Sequence, residues 1–102
     1  MKVRFYQSGT CVTVSPEGEI DECSVSSLRK EVDEFIDEHS AIEQVIFNLS
    51  AVRFMDSTGR GFLIGRYKKL NRYRIRMYIS NPNTSADKVL SVSGIYNLIE
   101  KV

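Results

Sequence analysis

Val45-Ile46-Phe47-Asn48-Leu49-Ser50 and, after a short connection, Phe54-Met55-Asp56-Ser57-Thr58-Gly59 decide how this chain folds. The first run is apolar and partly β-branched, with the length of a strand buried inside a sheet. The second ends in Asp56, Ser57 and Thr58, residue types that cap helix N-termini, where backbone N–H groups lack intrahelical partners. Beyond it Leu63, Tyr67 and Leu70 recur at helical spacing. The pair therefore predicts a strand, a connection, and an acidic Asp-Ser-Thr-Gly corner opening a helix over about 58–72. A serine at such a corner is held at a defined place near the surface, where its hydroxyl is available for capping or for modification.

Working outward, residues 3–7 and 11–15 are short β-prone runs joined by Ser8-Gly9-Thr10, a hairpin signal. Ser15-Pro16-Glu17-Gly18 reads as a second turn. Leu28, Val32, Phe35 and Ile36 mark an amphipathic helix over about 26–38, with Ser24 or Ser26 as its cap. A strand is expected over 44–49 and a further strand over 75–79. Ser80-Asn81-Pro82-Asn83 breaks the chain before a short helix over 85–92, stopped by Gly94. Residues 95–102 supply a last strand. The order β-β-α-β-α-β-α-β predicts an α/β fold, a mixed β-sheet with amphipathic helices and crossover connections between its parallel strands.

The chain has 102 residues, 42% hydrophobic and 26% charged, within the range of one ordinary globular domain covering 1–102. No apolar run reaches membrane-spanning length and no signal-peptide core follows Met1-Lys2, so a cytoplasmic address is expected. Cys11 and Cys23 are too few for a disulfide framework or a zinc site and are expected as reduced thiols. Net charge is only +1, yet 10 of the 13 acidic residues lie between Glu17 and Glu43, and 7 of the 14 basic ones between Arg60 and Arg76. Two solvated helix faces would account for this, as would a polarised surface steering a charged partner.

The run from Phe54 to Gly59, followed by Gly61 and by Gly65-Arg66-Tyr67-Lys68-Lys69, resembles the signature of bacterial anti-sigma factor antagonists. These belong to the STAS group (sulfate transporter and anti-sigma factor antagonist). Gly18-Glu19-Ile20-Asp21 is similar to the family's turn before its first helix, and Val92-Ser93-Gly94-Ile95-Tyr96 to the segment after its last. The resemblance spans about 3–102 and implies a STAS fold with the element order above. It also implies a partner switch. Unphosphorylated, the chain would bind an anti-sigma factor that is also a serine kinase and so free a sigma factor; phosphorylation of Ser57 would release it, and a PP2C-type phosphatase would restore it. ATP and Mg²⁺ would belong to the partner, so no cofactor is expected on this chain, and the chain is not expected to be an enzyme.

The partner surface implied by the resemblance comprises Glu19, Asp21, Asp56, Thr58, Gly59, Arg60 and Gly61 around Ser57. Each has a plainer reading: Asp56 as an N-cap, Glu19 and Asp21 as turn residues, Thr58 as part of the first helical turn. Gly59 and Gly61 are read as permitting approach of a partner and Gly65 as permitting packing. Arg60 departs from the family, which usually has an apolar residue between these glycines, so it bears on which partner is accepted. The glycine spacing is neither a dinucleotide fingerprint nor a Walker motif.

Two other functions compete. A STAS scaffold module in a signalling assembly would self-associate or hold a non-kinase partner. Nucleic-acid binding is raised by Arg66, Lys68, Lys69, Arg72, Arg74 and Arg76 with Tyr67 and Tyr73 interleaved, but a pI near 7.8 falls short of a dedicated binder. Hydrolase chemistry would need His39, the single histidine, beside Ser57 and Asp56, with no nucleophile-elbow motif to place them.

Overall fold

The computed structural model describes residues 1–39 and 41–102. Two strands, β1 (Lys2–Ser8) and β2 (Cys11–Ile20), form the expected hairpin, followed by helix α1 (Val25–Glu38) and strand β3 (Gln44–Asn48). Strand β4 (Val52–Met55) leads into α2 (Ser57–Arg72), then β5 (Arg76–Ser80) and α3 (Thr84–Ser93). A 3₁₀ turn (Ile95–Asn97) and a two-residue strand β6 (Glu100–Lys101) close the chain. The sheet runs β1-β2-β3-β5-β6; β1 is antiparallel to β2 and the other pairings are parallel.

Strand alternation explains where the core lies. Val12, Val14, Val45, Phe47, Met77 and Ile79 are buried and in register across β2, β3 and β5. Phe47 meets Phe62 of α2 edge-on at 6.0 Å, and Phe5 of β1 stacks on Phe35 of α1 at 4.2 Å, so both helices cover this one face. Each such side chain contributes roughly 1.5–3 kcal/mol by leaving water. Tyr6, Thr13, Ile46 and Tyr78 form the aligned row of the opposite, more open face. No helix among the described residues is long and apolar enough to cross a membrane.

Three expectations are corrected. The connection before Asp56 contains a strand, β4, which pairs parallel with the far end of β2: Gly18 with Val52, Glu19 with Phe54 and Ile20 with Met55. Pro16 to Gly18 is accordingly strand rather than turn. Pro16 falls between Val14, the last residue paired with β3, and Gly18, the first paired with β4, where a missing N–H is tolerated. Gly18, at φ 110°, sits where the register slips by one residue, a left-handed backbone that suits glycine. Residues 95–102 form a 3₁₀ turn and a vestigial strand instead of a full one. Ile95 and Ile99 are buried while Asn97 between them is exposed, a pattern that fits a helical turn and not a strand, where all three would share one face.

The segregated charges have an internal cause. Helices α1 and α2 lie side by side, and Asp33 and Asp37 of α1 meet Arg66 and Lys69 of α2, each at 2.9 Å. Tyr73 Oη donates to Asp37 as well. Lys69 holds the Asp37 carboxyl below the usual carboxylate range, chiefly through their hydrogen bond. Arg66 is 7% exposed, with its guanidinium 5.2 Å above the Phe62 ring. Its N–H bonds are not aligned on Asp33, so the contact is a charge pairing; burial pulls the Arg66 pKa down and Asp33 opposes that. The basic stripe proposed for nucleic acid is thus partly buried and partly neutralised, and neither helix face is simply solvated.

Candidate functional site

β4 is what assembles the site. By pairing with the end of β2 it brings the carboxyl ends of two parallel strands together, and Asp56 N–H donates to Ile20 O at 3.3 Å. Glu19 and Asp21 on one strand end and Asp56 and Ser57 on the other therefore share one edge of the molecule. Glu19 takes a 2.6 Å ion pair from Arg53 of β4, tying the two ends through exposed side chains. Asp21 Oδ1 accepts from the N–H groups of Cys23 and Ser24 at 3.0 and 3.1 Å and organises the entry to α1. Ser24 stands at the cap position but makes no side-chain cap bond; its hydroxyl donates back to Glu19 O at 2.7 Å.

At the corner itself, Asp56 is the N-cap of α2. Its Oδ1 accepts from Thr58 N at 2.9 Å and also from the Thr58 hydroxyl. These bonds, the hydroxyl's first, hold the Asp56 carboxyl below its ordinary range, so it is ionised at neutral pH. Gly59 N–H donates to Asp56 O at 3.0 Å. Thr58 thus spends its hydroxyl on the cap, while Ser57, the first residue of α2, is exposed and has no side-chain hydrogen bond among the described residues.

The glycines divide differently from expectation. Gly59 is buried, and a Cβ there would lie 2.3 Å from Met55 Cγ and 2.8 Å from its Sδ. Close packing of α2 on the buried Met55 accounts for this glycine without a partner. A Cβ on Gly65 would meet nothing within 4 Å, so packing does not demand glycine there; the same holds for the exposed Gly61.

A third element completes the surface, and sequence reasoning missed it. Asn83 caps α3 by accepting from Ala86 N at 2.8 Å, while its Nδ2 donates to the carbonyls of Val52 and Arg53 at 3.1 and 3.2 Å. One side chain thereby pins the start of α3 to β4. Between α2 and α3 lies a groove of about 500 Å³, lined by Ser57, Arg60, Ser85, Lys88, Val89, Val92 and Ser93. Its walls are largely apolar, and Val92 is 80% exposed. A signal existed: an Asn-Thr-Ser start after Pro82 is a cap pattern, but nothing local says which carbonyls its amide reaches.

His39 ends α1 with Nδ1 2.7 Å from Phe35 O and its ring stacked on Phe35. Asp56 is turned to Thr58. Neither forms a relay with Ser57, and among the described residues no group of acidic, cysteine or histidine side chains could hold a metal. The Cys11 and Cys23 thiols are unbridged.

An acidic N-cap presenting a free serine at the carboxyl edge of a mixed sheet, flanked by two helices, defines a STAS-type regulatory domain, and the chain belongs to the STAS domain family, matched over residues 2–102. It is similar to the anti-sigma F factor antagonist of Paenibacillus polymyxa, with 30% identity over 82 residues, covering 80% of this chain and 69% of that protein. Among solved structures it superimposes on the anti-sigma factor antagonist SpoIIAA in its unphosphorylated form. The TM-score is 0.81 at 25% identity, over 99% of this chain and 88% of the other. The phosphorylated form of the Bacillus cell fate determinant SpoIIAA gives a TM-score of 0.73 at 25% identity, over 99% and 91%.

Proposed function

We propose that this chain is an anti-sigma factor antagonist: unphosphorylated, it binds an anti-sigma factor serine kinase, frees a sigma factor, and is switched off by phosphorylation at Ser57. The observation that carries the reading is the division of labour at the corner. Asp56 ties up Thr58 and leaves the Ser57 hydroxyl exposed at the mouth of a groove. The relatives named above support it, as does the match to SpoIIAA in both phosphorylation states.

In the kinase complex the Ser57 Oγ attacks the γ-phosphorus of ATP held with Mg²⁺ by the partner. The Oγ–P bond forms as the bond to ADP breaks, and the hydroxyl proton passes to a base on the kinase. A PP2C-type phosphatase reverses the modification by hydrolysis. Glu19, Asp21, Asp56, Thr58, Arg60 and Gly61 surround Ser57 as the partner surface, with Gly59 contributing through its place in the α2 backbone; the chain acts in the cytoplasm. The test is displacement: added to a complex of the anti-sigma kinase with its sigma factor, the unphosphorylated chain is expected to release free sigma factor in a size-exclusion assay. An undisturbed complex at saturating chain would overturn the proposal.

A further inference from the structure

We propose that the α2–α3 groove is a built-in receptor for the Ser57 phosphate, with Arg60 and Lys88 closing on the phosphomonoester from two helices. The inference rests on Ser57 being the modified residue. Arg60 lies one helical turn beyond Ser57, on the same face of α2, and Lys88 reaches the same groove from α3. Both are exposed, and neither takes part in an ion pair among the described residues. Two cations without a fixed counter-ion thus flank the hydroxyl that would acquire a dianion.

The α2 backbone leaves that role to them. Thr58 N–H is already given to Asp56 Oδ1 and Gly59 N–H to Asp56 O. The adjacent carboxylate, Asp56, stays ionised but is turned to Thr58, and Asp87, beside Lys88, is engaged by Tyr96 and Lys101. A guanidinium and an ammonium on the groove rim match the charge of about −1.5 to −2 that a phosphoserine carries at neutral pH. Ser85 and Ser93 add hydroxyls to the same lining. Phosphorylation would then withdraw Arg60 and Lys88 from any partner and hold them inward, so the modified chain differs by more than one added group. The departure from the family at Arg60 acquires a reason: it supplies half of this receptor.

The experiment uses the full chain with phosphoserine installed at 57 by genetic encoding, so that no kinase is needed, and follows the ³¹P shift against pH. The second phosphate ionisation is expected below its usual value near 6. In the Arg60→Ala/Lys88→Ala double variant it is expected to rise by roughly half a unit to one unit, the low end for opposite charges, because solvent screens the site. The single variants should fall between. Equal titration of the parent and the double variant, both folded by circular dichroism, would overturn the receptor. Failure of an anti-sigma kinase to modify Ser57 would strike the proposed function instead and leave this titration unchanged.

Discussion

Phosphorylation of Ser57 is expected to lower the affinity of the chain for its anti-sigma kinase about a hundredfold, a loss of ~2.7 kcal/mol. A charge set against a like charge in an interface costs several kcal/mol, so a single dianion beside the ionised Asp56 suffices. The loss should not come from unfolding. A phosphate at the start of a helix is favoured by the helix dipole, and the fold's cap runs through Asp56 and Thr58 rather than through the Ser57 hydroxyl. Isothermal titration of both forms, with circular dichroism of each, reads the two quantities separately. Equal affinities would contradict the switch; loss of structure on phosphorylation would contradict its stated mechanism.

The second large effect is on stability. Gly59→Ala is expected to cost about 1–2 kcal/mol net and to lower Tm by roughly 5–15 °C. The added Cβ would lie 2.3 Å from Cγ of Met55, which is 1% exposed and has little room to withdraw. Overpacking of this kind costs about 1–3 kcal/mol, against which the helix preference of Ala over Gly returns at most ~1 kcal/mol. Gly61→Ala, with nothing in the way, is expected to be neutral or stabilising by up to ~1 kcal/mol. Thermal melts of the two variants check the contrast. A Gly59→Ala protein as stable as Gly61→Ala would show that α2 does not rest on Met55 as described.

Much of this architecture is legible from side-chain periodicity. Leu28, Val32 and Ile36 repeat at helical spacing and are buried; Val45 and Phe47 alternate and are buried. The acidic corner is legible because capping is local chemistry, and Asp56 does what its residue type and position imply.

The features that escaped are those that depend on distant partners. β4 is four residues long with Arg53 and Phe54 exposed, so its own pattern is weak and its strand character comes from pairing with β2. Pro16 reads as a turn until its register partner Val3 is known. Arg66 carries a charge at a buried helical position, and the available clue was a pattern between helices. Asp33 and Asp37 are four apart on α1, and Arg66 and Lys69 are three apart on α2, spacings that let each acid meet a base. The groove beside Ser57 has no motif at all, since it lies between α2 and α3 and no local pattern records how those two helices sit together.

The most direct test of the switch is to incubate the purified chain with its anti-sigma kinase and Mg-ATP, and to map any modification by intact mass and peptide sequencing. One phosphate, located on Ser57 and absent from the Ser57→Ala variant, is the predicted result. A phosphate on Thr58 or elsewhere, or none on a well-folded chain that binds the kinase, would contradict the assignment of the switch to this corner.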